Sequence, residues 1–523
     1  MQLRKIMTYL GAFLISHIGA GTSNAAPLPE IRFADAIETP TSIPGHRSRN
    51  TATDGVMLHV VESLVALRDD LSVAPMLADS WQISPDGKTY KFKLRKGVTF
   101  HNGAPLTAAD VQWSLKWLMD PKSESYCRNQ YDGTRGAKVI GVEAPSPDTV
   151  IIRLEKPYGL FLMQTANIQC PLAVLHPSSV DAHGNWIKPV ATGPYVFSEW
   201  KKGQYILLTP YAGYKPRSEP SSGLAGAKLA QADVRFVLIP DASAQKAALM
   251  SGQVDAIIAD SENPPPKDPR WTVAVEQDID TNALLMQTRD PLLSNLKLRR
   301  AIATILDLPA LARALTGGAA PYNPSLVPVV SRYYSAVHKV GFTKNIDAAK
   351  KLLAEAGYRG ETLKIQTNKR YPDVYRMALL TQMMLSKAGI KTELEVLEWA
   401  TQVTNFREGK FQLMAFTYSA RIDPAIMYAD ILGDKTKAPM LQWTNPDASK
   451  ILADIDAVGF DSPSSAGSAI RKAAFESLHK LMIDDVPMIM LYNTPVLVAF
   501  NNNLSGFKPW PLRRPRFFNV SKK

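Results

Sequence analysis

Residues 77–120 read LADSWQISPDGKTYKFKLRKGVTFHNGAPLTAADVQWSLKWLMD. Within them Ser84-Pro85-Asp86-Gly87 is a turn, with proline pre-setting its own φ and glycine accepting a left-handed one. From Thr89 onward the pattern alternates strictly: Tyr90, Phe92 and Leu94 face one way, Lys91, Lys93 and Arg95 the other. That is a half-buried strand after a turn, hence a hairpin. A second turn at His101-Asn102-Gly103 leads to Thr107, placed to cap a helix. Asp110, three residues later, can reach back as a capping-box acid at the positive end of that helix. Val111, Leu115 and Leu118 then recur at helical spacing.

Hairpin, turn and capped helix in this order resemble one family signature, LADSWxxSxDGKTYxFKLRKGVxFHxGxPLTAxDV. It belongs to the periplasmic substrate-binding proteins of ABC importers, in the dipeptide, oligopeptide, nickel and opine group (extracellular solute-binding protein family 5). Three further segments are similar to family elements: Ala191-Thr192-Gly193-Pro194-Tyr195 running on to Trp200, the stretch 249–256 (LMSGQVDA), and residues 296–311 (LKLRRAIATILDLPAL). The resemblance covers nearly the whole chain after its first residues. It departs early, where family members often carry Leu-Asp-Pro and this chain has Glu38-Thr39-Pro40.

Outside the signature, the chain opens on Arg4 and Lys5, an apolar run over residues 6–20 and small residues closing at Ser23-Asn24-Ala25. This is the pattern of a cleaved secretory signal over residues 1–25, and the run is too short to span a bilayer. No cysteine near that site could accept a lipid. Periplasmic localisation is the expectation. The formal charge is +12, and removing residues 1–25 would leave +10. Nucleic-acid binders concentrate such charge on one face or arm. Here it is dispersed apart from Arg513, Arg514 and Arg516, so no nucleic-acid partner is expected, only solubility and a mild preference for anions. The two cysteines, Cys127 and Cys170, suit one disulfide in an oxidising compartment, with two buried free thiols as the alternative.

Residues 30–36 open the body as a strand. A helical pattern over 54–67 makes His59 a helix-face residue. From about Ala283 strands alternate with helices: strands at 363–367, 390–397 and 411–417, helices at 374–387 and 400–408, and Asp347 placed to cap a helix ending at Gly357. The expected fold class is α/β. The resemblance implies a two-lobe periplasmic binding protein fold with a hinge between the lobes and an extra subdomain in the first. Its divisions are 26–55, 56–189 (the extra subdomain) and 190–280 in lobe I, 281–495 in lobe II, and 496–523 returning to lobe I. Two crossings, near 278–283 and 492–498, would then join the lobes.

No nucleophile elbow, zinc-protease helix, phosphate loop or Cys-x-x-Cys pair occurs. The eight histidines are scattered singly. No catalytic residue, metal site or cofactor is expected, although an exported hydrolase on the same scaffold is the alternative of another class. The candidate ligand-binding residues sit in Tyr418-Ser419-Ala420-Arg421-Ile422-Asp423-Pro424, just past a strand's carboxyl end, where ligands of open α/β sheets collect. Arg421 offers a planar fork to a carboxylate or phosphate, and Asp423 can pair with an ammonium. The resemblance implies that an aspartate in such an Asp-Pro segment holds a peptide's α-amino group. Arg421 also resembles members with non-peptide ligands. Satisfaction by neighbours at the hinge is the other reading of both residues. Trp399 is either an aromatic wall of the cleft or a core residue. Arg47, with Arg49, is either a cationic edge from the other lobe or a solvated loop face. The expected partners are a small-molecule ligand and ABC permease subunits in the inner membrane. A di- or oligopeptide is first in order as the ligand, an opine-like or sugar-phosphate conjugate second, and nickel third.

Overall fold

The computed structural model describes residues 28–39, 41–44, 51–134, 136–261, 263–458 and 466–523. The signal-peptide expectation and Arg47 lie outside these residues.

The decisive stretch folds as its pattern requires. Strand Ala78–Ile83 turns through Ser84–Gly87 into strand Thr89–Leu94, with Gly87 at φ 67°. Tyr90, Phe92 and Leu94 are buried. Helix Ala108–Met119 starts at Thr107, whose backbone N–H (2.8 Å) and hydroxyl (2.7 Å) both donate to the Asp110 carboxylate. With Val139–Ser146 and Thr149–Leu154 these strands form a four-stranded antiparallel layer. Residues from Leu64 to Val190 feed its core, which is continuous with lobe II residues such as Ile279, Phe416, Tyr418 and Tyr428, whereas Val56, Met57, Val60 and Leu175 pack with Tyr195, Phe236 and Phe517 in lobe I.

Among the described residues, ten strands make one sheet running through both lobes. Its middle is the long pair Trp271–Met286 and Met488–Asn501, antiparallel over most of its length. On one side follow Ala256–Ala259, Glu30–Asp35, Asp233–Leu238, Tyr205–Pro210 and Tyr195–Lys201. On the other lie Leu413–Tyr418, Leu363–Thr367 and Thr392–Val396, parallel to one another. The register of the central pair breaks between Gln277 and Thr281 and again after Asn282, so the strands bulge where they pass from lobe to lobe. Mixed α/β structure in two lobes is the expected class. The apolar run before residue 500 is one of these strands. No helix among the described residues is long and apolar enough to cross a membrane.

Two local expectations change. The helix expected over 54–67 is Thr51–Val60, because the chain beyond it is drawn into the next layer: Ser63 Oγ donates to the carbonyls of Thr165 and Leu172, both at 2.8 Å. His59 is fully buried, its Nδ1 2.9 Å from the Gly55 carbonyl and its Nε2 accepting from Phe517 N–H at 3.1 Å. Burial depresses its pKa to about 3, so it is a neutral structural residue. The helix expected to be capped by Asp347 runs over Ile346–Glu355 and is capped by Asn345, whose side chain accepts from Ala348 N–H. Asp347 instead sits in the first turn, favoured there by the helix dipole.

Candidate functional site

The strands Leu363–Thr367, Thr392–Val396 and Leu413–Tyr418 are parallel, so their carboxyl ends share one edge of lobe II. Trp271–Met286 runs antiparallel to the last of them, with Thr281 opposite Tyr418. Residues before Thr281 therefore continue past that edge towards lobe I. The loops 368–371, 397–399 and 419–423 consequently face the first lobe across the crossing, where a ligand of such a sheet is held.

Arg421 lies in this edge with its side chain 29% exposed. Its Nε donates to Asp430 at 2.6 Å and its Nη1 to the Ser419 carbonyl and hydroxyl, both at 2.8 Å. Its Nη2 has no hydrogen-bond partner among the described residues, so half of the fork is braced and half is open. Trp399 begins helix Trp399–Glu408 and is half-buried. Tyr371 meets it edge-on at 5.0 Å, and Phe416 stacks beneath it at 6.1 Å. Tyr418 is the last residue of its strand and is buried, its ring 5.1 Å from Phe416 and 6.0 Å from Phe406. Burial pushes its phenol pKa far up, so it stays a neutral packing residue beneath the edge.

Asp423 is not an open acid at the cleft. It is fully buried, caps helix Pro424–Ile431 through Ala425 N–H (2.8 Å), and pairs with the equally buried Arg471 at 2.6 Å. Arg471 in turn donates through Nε to the Tyr333 hydroxyl at 3.1 Å. The acid the edge does present is Asp280, on the crossing strand. Its Oδ1 accepts from Ala420 N–H, the residue beside Arg421, and its side chain is 19% exposed. Arg513 lies between it and Asp278, with Nε 3.1 Å from Asp278 and Nη1 3.8 Å from Asp280. Burial and the Asp280 charge raise Asp278 to about 7, with Arg513 opposing the shift. Burial likewise raises Asp280, against the pull of Arg513 and of the Ala420 hydrogen bond.

The arginine cluster of the C-terminal segment is thus not a solvated patch. Arg514 pairs with Asp54 at 2.9 Å in a buried contact, and Arg516 with Asp69 at 2.9 Å. These pairs bind residues 513–516 to the first lobe beside the crossing. Sequence reasoning missed Asp278 and Asp280, although three acids at alternate positions (Glu276, Asp278 and Asp280) inside the strand VAVEQDIDTNALLM were a usable signal. Elsewhere, Cys127 and Cys170 are joined, their Cα atoms 5.2 Å apart. Among the described residues no three His, Cys, Asp or Glu side chains gather into a group that could hold a metal.

Two lobes built on one sheet, joined by paired strands and presenting strand ends to each other, define a two-lobe solute-binding protein. The chain belongs to the bacterial extracellular solute-binding proteins, family 5, whose model (family 5 Middle) matches residues 72–439. It is 25% identical over 509 residues to heme-binding protein A of Haemophilus influenzae (strain ATCC 51907 / DSM 11121 / KW20 / Rd), covering 91% of this chain and 88% of that one. Over 376 residues it is 24% identical to the glutathione-binding protein GsiB of Escherichia coli O1:K1 / APEC, 71% of this chain and 70% of the relative. The solved structure of HbpA2 from Haemophilus parasuis superposes with a TM-score of 0.81 at 24% identity, covering 94% of this chain and all of that one. Members of the family are binding components of ABC importers, not enzymes, and this chain is one of those components.

Proposed function

We propose that this chain is exported to the periplasm, captures a small acid-bearing solute of peptide type at the edge between the lobes, and hands it to the permease of its importer. A di- or oligopeptide fits first. The observation that carries this is the pairing of opposite handles on adjacent positions. Arg421 keeps one arm of its guanidinium open for a carboxylate, and Asp280, bonded to Ala420 N–H, stands beside it for an amine. An opine-like or sugar-phosphate conjugate is the second reading. It is favoured by the commitment of Asp423 to Arg471, which leaves fewer acids to greet an ammonium.

Calorimetric titration with a dipeptide panel tests the proposal, with circular dichroism confirming the fold. Arg421→Ala should raise Kd well over tenfold, since a charge-assisted contact closed off from water costs about 2–5 kcal/mol when lost. Arg421→Lys should recover part of that, because an ammonium cannot supply a planar two-point fork. Asp280→Asn should weaken free peptides and spare their N-acetyl forms. Unchanged affinity in both folded variants would move the site elsewhere.

A further inference from the structure

The edge of lobe II carries a second set of features that the Arg421 contact does not use. From the core outwards, Phe406 stacks on Phe416 (4.7 Å, 13° between planes), Phe416 on Trp399 (6.1 Å, 25°), and Trp399 meets Tyr371 edge-on (5.0 Å, 83°). Phe406 and Phe416 are buried, Trp399 is half-buried and Tyr371 is 42% exposed. A ladder of rings thus climbs out of the hydrophobic core and ends in the loop that follows strand Leu363–Thr367. An aromatic side chain left to water alone would not need that support. One braced from below by three others is held in place, and its exposed surface is ready to take another flat partner without loss of rotamer freedom.

The same loop is cationic. Lys369 and Arg370 are exposed, and neither has a carboxylate partner among the described residues. The Arg370 guanidinium lies 5.8 Å from the Tyr371 ring, and the Lys369 ammonium 5.6 Å from that of Tyr375. Asp373, three residues after Arg370, is taken by Arg376 at 2.6 Å. Helices Pro372–Lys387 and Trp399–Glu408 both start at this edge without a side-chain cap, so free N–H groups of their first turns add to the positive field.

We propose that the solute carries a planar conjugated group beside its acid. The flat face lies on Tyr371, which Trp399 holds in place edge-on, and a carboxylate or phosphate of the same solute meets Lys369 and Arg370. This rests on the reading of the edge as the solute site and narrows it from any acid-bearing peptide or conjugate to those with a flat ring.

The test is calorimetry on the full chain with probes that vary ring and acid separately. One arm uses the dipeptides Trp-Glu, Ala-Glu, Trp-Gln-amide and Ala-Gln-amide, free and N-acetylated. The other uses phenyl phosphate against glycerol 3-phosphate. Within whichever arm binds, the probe with both ring and acid should be at least about tenfold tighter than the one lacking either. Tyr371→Ala should abolish most of the advantage conferred by the ring. The double variant Lys369→Gln/Arg370→Gln should abolish most of the advantage conferred by the acid. All three positions are exposed, so these variants keep the fold. Equal binding of ringless or amidated probes, or variants that leave both preferences intact, would overturn the inference while solute capture stands. Binding by no probe in either arm would overturn the acid-bearing-solute reading, and this inference with it.

Discussion

Asp423 and Arg471 meet at 2.6 Å with both side chains wholly out of water. Such a pair adds little over a well-packed apolar one, but removing one partner strands the other charge in a medium that cannot solvate it. Asp423→Ala should therefore destabilise the fold by about 3–5 kcal/mol, a value that includes the lost helix cap. Asp423→Asn keeps the cap and a hydrogen bond to Arg471, and should lose clearly less. Urea unfolding of the two variants checks both, and a loss below about 1 kcal/mol for Asp423→Ala would return the residue to ligand binding. At this scale the sequence was half legible. Asp-Pro is a helix start as well as a possible ligand contact, and both readings were open. Only the partner decides between them, and Arg471 lies 48 residues away with no local pattern linking the two. Arg421 was found because its loop follows a strand, a signal carried by neighbouring residues. Asp280 was missed because its importance comes from Ala420, across the sheet.

The crossing strand Trp271–Met286 carries Asp278, 2% exposed and raised from 3.8 to about 7. A folded-state pKa above the unfolded one means that the folded state gains from binding the proton. That gain is complete below about pH 4 and is lost as pH climbs through 7. The wild type should lose up to a few kcal/mol of stability between pH 5 and 8, and Asp278→Asn, which cannot titrate, should lose much less. Urea midpoints at the two pH values measure this, and parallel pH profiles would remove Asp278 as the cause. The loop elements give a second expectation. Cys127 and Cys170 tie together segments 43 residues apart, so replacing both with alanine should cost about 2–4 kcal/mol in unfolding experiments. Two thiols titrating in the unreduced, denatured protein would contradict the bond. Elements written in local signals were legible, as the Ser84–Gly87 hairpin and the Thr107 cap illustrate. Competition between neighbours was not: Asn345 and Asp347 both suit a cap, and only the backbone angle at Asn345 (φ −153°, ψ 100°) selects the first. Nor did the run before residue 500 reveal itself as a 14-residue strand, since its partner Trp271–Met286 lies far back in the chain.

Both links between the lobes are strands of one antiparallel pair, and both deviate at the same level. The register breaks between Gln277 and Thr281 and after Asn282, opposite Asn493 and Tyr492. A bulge leaves residues unpaired and lets a strand bend, so this level can absorb a change of angle. Polar contacts span it: Ala420 N–H on Asp280, Arg513 between Asp278 and Asp280, and the Asn493 side chain donating to the Asp280 carbonyl at 3.2 Å. Apolar packing spans it too, since Ile279, Tyr418 and Ile422 belong to a core shared with the first-lobe layer. The polar contacts can exchange partners at small cost. We propose rigid-lobe rotation about the bulged level, with the proposed solute handles on the face that closes. Small-angle scattering should show a smaller radius of gyration once the tightest solute saturates the protein. Replacing Arg513 with alanine frees the two acids, so the same decrease should require a different solute concentration while the final radius stays the same. A radius that does not change at saturation, in a protein whose binding is confirmed calorimetrically, would mean that the edge captures its solute without closure and that the bulge serves only to join the lobes.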